Sequence, residues 1–443
     1  MTCHQKLSAT VLLFCAFVFC PAFSQSDLPW STGLRSPRIE ALRRQVESGN
    51  TGAVKQFWAD IAARHAPLIE PIPGDTAHSL VTFIYRGSTD TKAVVVYCQM
   101  IMGRDFSVNQ LTRLGATDVW FKTYSIRNDM RLGYSLVPNP SADVGSSPNV
   151  GIADPLNPKA APLAPYMGKS VLELPDAPPQ PWIAPRPGAA SDTLEEIRIS
   201  SRVLGSERPA WIHTPPGYDP SRKEPYPLLI CFDGQVYASS NYMPVPTIVD
   251  NMIADGRIPP LIVVLVGQSP QPGRNIELSN NQPFLDFVAN ELLPQVRQRW
   301  HATADPGQTI VTGSSIGGLA AAYFAFRRFD VFGNVLSQSG AFWPGKTRSD
   351  PNHEWLTQQF ESSPKLPIRF VLQVGLLERG PTPGNGPSIL ETNRHLRDVL
   401  KRKGYEVHYS EIAGGHEPLS WRGGISDGLL QLIGLHTQTD NAH

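Results

Sequence analysis

The chain reads as an α/β protein, a mostly parallel sheet with helices on both faces, preceded by a smaller β-rich, sandwich-like unit. Three observations predict this. From 194 to 434, short apolar strands alternate with helical stretches, the pattern of a parallel sheet covered by helices. From Ser79 to Val137 the pattern is instead four short runs, 80–85, 93–97, 119–124 and 131–136, at the spacing of a small sandwich. And Gly313-Ser314-Ser315-Ile316-Gly317 stands between an apolar run, 308–312, and a small-residue helical stretch from Gly317 to Phe329.

The elements follow in order. Residues 1–24 read as a secretory leader: Lys6, then the apolar run 11–19, then Ala22-Phe23-Ser24 as a small-residue cleavage site. The apolar run is too short to span a bilayer, and the bulky Phe19 argues against lipidation at Cys20. The mature protein is therefore expected in the periplasm or outside the cell, with no integral membrane segment after cleavage. Only Cys98 and Cys231 then remain, each in an apolar strand, and both are expected as buried free thiols. Residues 25–137 form the first unit, opening on helical periodicity over 36–66 that Gly49-Asn50-Thr51-Gly52 interrupts. The stretch 138–190 is too rich in proline for regular structure and reads as a connector. Residues 191–443 form the catalytic unit.

Composition narrows the function. The 443 residues, 41% hydrophobic, can bury at least one large core. Lys+Arg and Asp+Glu both number 39, which supplies no field for nucleic acid. No phosphate loop, dinucleotide fingerprint, zinc-ligand spacing or internal repeat appears, and neither a metal nor a cofactor is expected.

A Gly-x-Ser-x-Gly between strand and helix is the nucleophile elbow of α/β hydrolases, whose glycines permit a turn that a Cβ on either side would block. Ser315 is the candidate nucleophile. The base should follow the last strand, and His416 lies in Ala413-Gly414-Gly415-His416 just past the alternating run 405–412. The acid should follow the strand before that, and Glu378 comes directly after the run 368–375. Glu391 is its rival, with Glu411 and Glu417 behind. The oxyanion needs backbone donors. The amide of Ile316 follows the nucleophile at a helix N-terminus, and the amide of Gln235, or of Gly234 itself, follows the apolar strand 226–232. These residues specify an ester or thioester hydrolase working through an acyl-enzyme.

Longer strings carry a resemblance. Asp233-Gly234-Gln235, Gly313 to Gly318, Leu336-Ser337-Gln338-Ser339-Gly340, and Gly414-Gly415-His416 through Trp421-Arg422-Gly423-Gly424 resemble the enterochelin (enterobactin) esterases, in the esterase-D-like branch of the α/β hydrolases. The first half is similar too, in 81–86, 115–120 and the interdomain string Asp154 to Pro158. The resemblance implies hydrolysis of the serine ester bonds of a catecholate siderophore trilactone, usually as its ferric complex, so that iron arrives with the substrate. Such complexes are anionic, and Arg274, Arg379 and Arg422 are the candidate binding residues, with Trp421 either an aromatic wall or, the favoured reading, part of the core. Two-domain members of that family are commonly cytoplasmic, so the leader departs from their pattern. Two other readings stay open: a secreted acetyl or feruloyl esterase of the same fold, and a non-catalytic siderophore-binding protein.

Overall fold

The computed structural model describes residues 30–98, 106–141, 151–161, 169–186, 194–239, 242–268, 273–346, 350, 353–383 and 385–435. The leader expected at 1–24, with Cys20, lies outside them, as do His436 and His443.

Two helices, Pro37–Glu47 and Ala53–Arg64, open the first unit on either side of the glycine-flanked break. The first is started by Ser36, whose side chain accepts the Ile39 N–H, and by Pro37 in the first turn, where a missing N–H costs nothing. Their apolar faces (Ile39, Leu42, Phe57, Trp58, Ile61) pack on Leu68, Ile84 and Val119 of a five-stranded sheet. In that sheet Asp75–Arg86 pairs antiparallel with Val119–Arg127. A second, four-stranded sheet joins Val94–Tyr97, Arg131–Pro138, Lys169–Glu173 and Ala160–Ala161.

The last two strands correct the expectation that 138–190 is a connector without regular structure. Lys169-Ser170-Val171-Leu172-Glu173 is a proline-free run with alternating burial, and it pairs with Arg131–Tyr134. The density of prolines around it hid a strand too short to show its period. The stretch after it runs as an ordered strap over the catalytic unit. Asn251 donates to the Trp182 and Ala184 carbonyls, and Arg186 pairs with Asp255 at 2.6 Å.

The catalytic unit is built on one eight-stranded sheet. An antiparallel hairpin, Leu194–Ser201 and Ser206–His213, forms one edge and joins Ile262–Val266. From there the strands run parallel in the order Ile262–Val266, Leu228–Cys231, Thr309–Ser314, Asn334–Gln338, Arg369–Gly375, Glu406–Ile412. The first five of these strands are buried along almost their whole length because both faces are covered by helices, whereas the edge strand Glu406–Ile412 alternates between exposed and half-buried residues. The helix Ile316–Arg327 is buried along nearly its whole length, which explains its run Ala320-Ala321-Ala322. Cys98 and Cys231 are buried free thiols.

One charged pair crosses this interior. Arg208 of the hairpin and Glu277 of the short helix Arg274–Glu277 meet at 2.6 Å, only 1% and 2% exposed. Removing one partner strands the other charge away from water. Glu277→Ala is expected to destabilise the catalytic unit by about 3–5 kcal/mol, read as a lowered urea midpoint.

Candidate active site

Five neighbouring parallel strands bring one loop each to the same edge of the sheet, at their carboxyl ends. Leu228–Cys231 leads to Asp233 and Gln235, Thr309–Ser314 to Ser315, Asn334–Gln338 to Ser339, Arg369–Gly375 to Glu378, and Glu406–Ile412 to His416. Open α/β sheets bind ligands at this edge. Three of the loops begin on non-glycine residues with positive φ: Asp233 (59°), Ser315 (59°) and Ser339 (48°). Each such residue stores about 1–3 kcal/mol of strain, a mark of functional turns.

Ser315 is the sharpest of these turns, with φ 59° and ψ −122°. A Cβ on Gly313 would lie 2.6 Å from the Gly317 carbonyl carbon, and one on Gly318 would lie 2.9 Å from Gly340. Only glycine fits at these positions. The serine backbone is fastened on both sides: its N–H donates to the Gln338 carbonyl at 2.9 Å, and its own carbonyl accepts from Gly318, Leu319 and Ala341. From 309 through 325 every residue is buried except Ser315. The fold opens to solvent at that one side chain.

Glu378 and His416 meet at the same edge of the sheet. The Nδ1 of His416 lies 2.8 Å from Oε2 of Glu378. The other carboxylate oxygen accepts from Ser339 Oγ at 2.5 Å and from the Gly375 N–H at 2.8 Å. Glu378 is 3% exposed, so the carboxylate is held by three donors out of water. An acidic partner at Nδ1 places the ring proton there and leaves Nε2 as the acceptor. The two loops are joined by backbone as well: Leu376 and Leu377 donate to the Ile412 and Gly414 carbonyls. Trp421 stands edge-on to the His416 ring, centroids 4.9 Å apart, and its Nε1 donates to Ser339 Oγ at 2.9 Å.

Two helices begin at this edge of the sheet with first-turn amides. Hydrogen bonding in the elbow helix starts with Gly318 and Leu319, which leaves the Ile316 N–H without a carbonyl one turn back. In the short helix Gly234–Tyr237 it starts with Val236 and Tyr237, both to the Asp233 carbonyl, and Gln235 precedes them on the exposed side. Gly234 packs so closely on Leu265 and Val266 that a Cβ would come within 2.7 Å of backbone.

The "Putative esterase" family model matches residues 201–432, and the model for the enterochelin esterase N-terminal domain matches 80–183. The chain is 31% identical over 340 residues to the iron(III) enterobactin esterase of Escherichia coli O6:H1, covering 73% of this chain and 81% of that protein. The chain belongs to the enterobactin esterase family. It is 26% identical to the iron(III) salmochelin esterase of the same strain, over 89% of this chain and 98% of that one. The enterobactin esterase of Shigella flexneri, crystallised in the presence of enterobactin, superposes with a TM-score of 0.69 at 29% identity, over 84% of this chain and 96% of that one. The chain is thus a carboxylic ester hydrolase of α/β-hydrolase type with the N-terminal domain of this family.

Within this esterase the other candidate residues sort by their contacts. Glu391 caps its own helix, accepting from the Ser388 N–H and hydroxyl. Glu411 pairs with Arg394 at 2.7 Å, and Glu417 accepts the Gly133 N–H from the first unit. None of these three carboxylates reaches the imidazole as Glu378 does. Arg274, expected as a substrate-binding residue, spends its guanidinium elsewhere. Its Nε and Nη2 donate to the two oxygens of Asp233 at 2.7 and 2.6 Å, and Nη2 also reaches the Ser314 carbonyl at 3.3 Å. This fork ties the Gln235 loop to the elbow strand. Arg379 turns back on its own loop, Nε donating to the Leu376 carbonyl. Of the two roles open to Trp421, aromatic wall or core, the structure gives core: it is 7% exposed and packs behind the imidazole. Arg422 points away into the first-unit junction, its Nε donating to Gln180.

Two site residues had no assigned role in the sequence reading: Ser339, and Asp233 as the partner of Arg274. Both stood in the quoted strings, and their place directly after parallel strands was the available signal. Among the described residues no group of three or more His, Cys, Asp and Glu side chains is arranged to hold a metal ion.

Hydrolysis of a p-nitrophenyl ester tests this assembly. Glu378→Gln is expected to lower kcat by about three to four orders of magnitude, whereas Glu391→Ala should cost only about 1 kcal/mol of helix-cap stability. Ser339→Ala, which removes one donor from the buried carboxylate, should lower kcat by roughly tenfold.

Proposed function

We propose that this esterase hydrolyses the ester bonds of a cyclic catecholate siderophore trilactone, enterobactin-like, free or as its ferric complex. The observation that carries the hydrolytic reading is the Glu378–His416 pair at 2.8 Å, on the same sheet edge as the strained turn at Ser315. The substrate class is supported by relatives that are named as enterobactin and salmochelin esterases and that align across both units of the chain.

Ser315 Oγ attacks an ester carbonyl carbon and passes its proton to His416 Nε2. Glu378, fixed by Ser339 and Gly375, stabilises the imidazolium. The amides of Ile316 and Gln235 hold the oxyanion, in a site where such donors are each worth on the order of a hundredfold in rate. Collapse breaks the C–O bond, and His416 protonates the departing serine alkoxide of the neighbouring unit. Water then enters, His416 takes its proton, and the acyl-enzyme is cleaved to a free carboxylic acid. The chain's own residues perform each transfer, and iron enters only as part of the substrate.

The leader pattern of residues 1–24 supports export of this activity to the periplasm or outside the cell. N-terminal sequencing of protein from the periplasmic fraction should begin just after residue 24. Full-length protein retained in the cytoplasm would reject the export.

Mass spectrometry of products from the mature protein with free and ferric trilactone tests the substrate. Linear trimer followed by shorter acyl-serine units is expected. Ser315→Ala should slow their appearance by roughly four or more orders of magnitude while leaving binding largely intact. An untouched trilactone alongside brisk turnover of acetyl or feruloyl esters would transfer the enzyme to that substrate class. Failure of Ser315 to take a fluorophosphonate label would make the protein a binder.

A further inference from the structure

A second concave site lies at the junction of the two units. A cavity of 690 Å³ opens between the strand Arg131–Pro138, the strand Lys169–Glu173, the proline-rich strap after it and the helix Pro418–Ile433. That volume is ordinary for a small-molecule site. Ser315, His416, Ile316 and Gln235 are absent from its lining.

Three cations and one carboxylate line it: Arg131, Lys159, Arg422 and Glu173. Glu173 is already engaged. Lys159 Nζ donates to one oxygen at 2.8 Å, and Arg131 Nε and Nη2 donate to the other at 3.0 and 2.6 Å. Those contacts, that of Lys159 first, hold its carboxyl down at about 2. Arg422 is left over. Its Nε donates to the neutral Oε1 of Gln180 at 2.8 Å, and among the described residues it makes no ion pair. Burial, and then the nearby Arg131 guanidinium, push its pKa below that of a free arginine, while Glu173 and Glu417 act the other way. Its guanidinium is thus partly buried with a second cation for a neighbour and no carboxylate in direct contact. The remaining lining is apolar and stiff, with Leu174, Pro175 and Pro179 offering surface for a flat ring.

We infer that this cavity is a second binding site, for a small aromatic carboxylate, and that it receives the acyl-serine acid released by hydrolysis. The identity of that acid rests on the proposed function. Each ester cleaved frees one carboxylate that the cyclic trilactone does not carry, so a charge present only in the product is what the site reads. The planar fork of Arg422 suits a carboxylate geometrically as well as electrostatically. The aromatic ring packs on the prolines.

Isothermal titration of N-(2,3-dihydroxybenzoyl)-serine and of its methyl ester into the full mature chain carrying Ser315→Ala tests the site without turnover. The acid should bind at least tenfold more tightly than the ester, with a preference that shrinks at high salt. Arg422→Gln, which keeps a polar side chain of similar reach, should erase that preference while the ester still binds, and Arg422→Lys should restore part of it. Equal binding of acid and ester, or a preference that survives Arg422→Gln, overturns the inference. The two proposals fail separately. Trilactone cleavage without an Arg422-dependent preference removes the cavity alone. The preference without trilactone cleavage removes the substrate assignment and leaves a site for aromatic carboxylates.

Discussion

The structure depends on one strained residue. Ser315 holds φ 59° and ψ −122°, a conformation that a side chain disfavours, and nothing local in its sequence relieves it. The relief is tertiary. Gly313 and Gly318 remove Cβ atoms that would collide with the Gly317 and Gly340 backbone, and the neighbouring strand supplies the Gln338 carbonyl to the serine N–H. Beneath them the buried helix Ile316–Arg327 fixes where the chain must go next. A turn held this way keeps the hydroxyl in one place without any contact to the hydroxyl itself. That leaves the oxygen free for chemistry.

The catalytic loops are braced in turn by parts of the chain far away in sequence. Ser339 Oγ receives the Trp421 indole N–H and donates to Glu378, so the carboxylate, the serine and the tryptophan behind the imidazole form one buried chain of hydrogen bonds. Such chains are stronger than their separate links because each bond polarises the next. Below it, Gln338 and Gln373 bond to each other and to the Trp421 and Gly424 carbonyls, which seats the helix Pro418–Ile433 on the sheet. The first unit reaches the same place. Its strand at 131–138 donates from Arg131 to the Ala413 carbonyl and from Gly133 to Glu417, and Leu377 of the acid loop joins its hydrophobic core. The β-rich unit is therefore packed against the acid and histidine loops and is part of what holds them.

Much of this was legible in the sequence, and the reasons are physical. Strand and helix periods are local properties, so the order of elements and the mostly parallel sheet followed from the apolar pattern. Ser315, Glu378 and His416 were candidates because each follows a recognisable strand, in the chain order such hydrolases use, and the structure brings Glu378 and His416 into contact. Side-chain pairing is not local. Arg274 and Asp233 lie 41 positions apart, and Trp421 and Ser339 lie 82 apart, and only the loop geometry brings them together. An arginine in a glycine-flanked loop therefore read as a ligand contact, while in the structure its fork ties two loops. The strand at 169–173 was hidden for the opposite reason. Five residues between prolines carry too little pattern to outweigh their surroundings, and the sheet edge offered by 131–138 decides their conformation.

Charge shows most clearly why composition and site must be read apart. With 39 cationic and 39 acidic side chains the chain has no net field, and most arginines near the site are committed to acids: Arg274 to Asp233, Arg131 to Glu173, Arg394 to Glu411. These pairs are architectural, and their fields largely cancel a few ångströms away. Recognition of an anion then cannot come from the number of cations, only from where pairing is incomplete. Arg422, bonded through one nitrogen to a neutral amide, is such a place, and it arises because the strap residue facing it is glutamine. A glutamate at position 180 would have closed the pair and removed the local surplus. A single neutral residue in the strap is thus enough to leave a directed positive charge in an otherwise balanced protein.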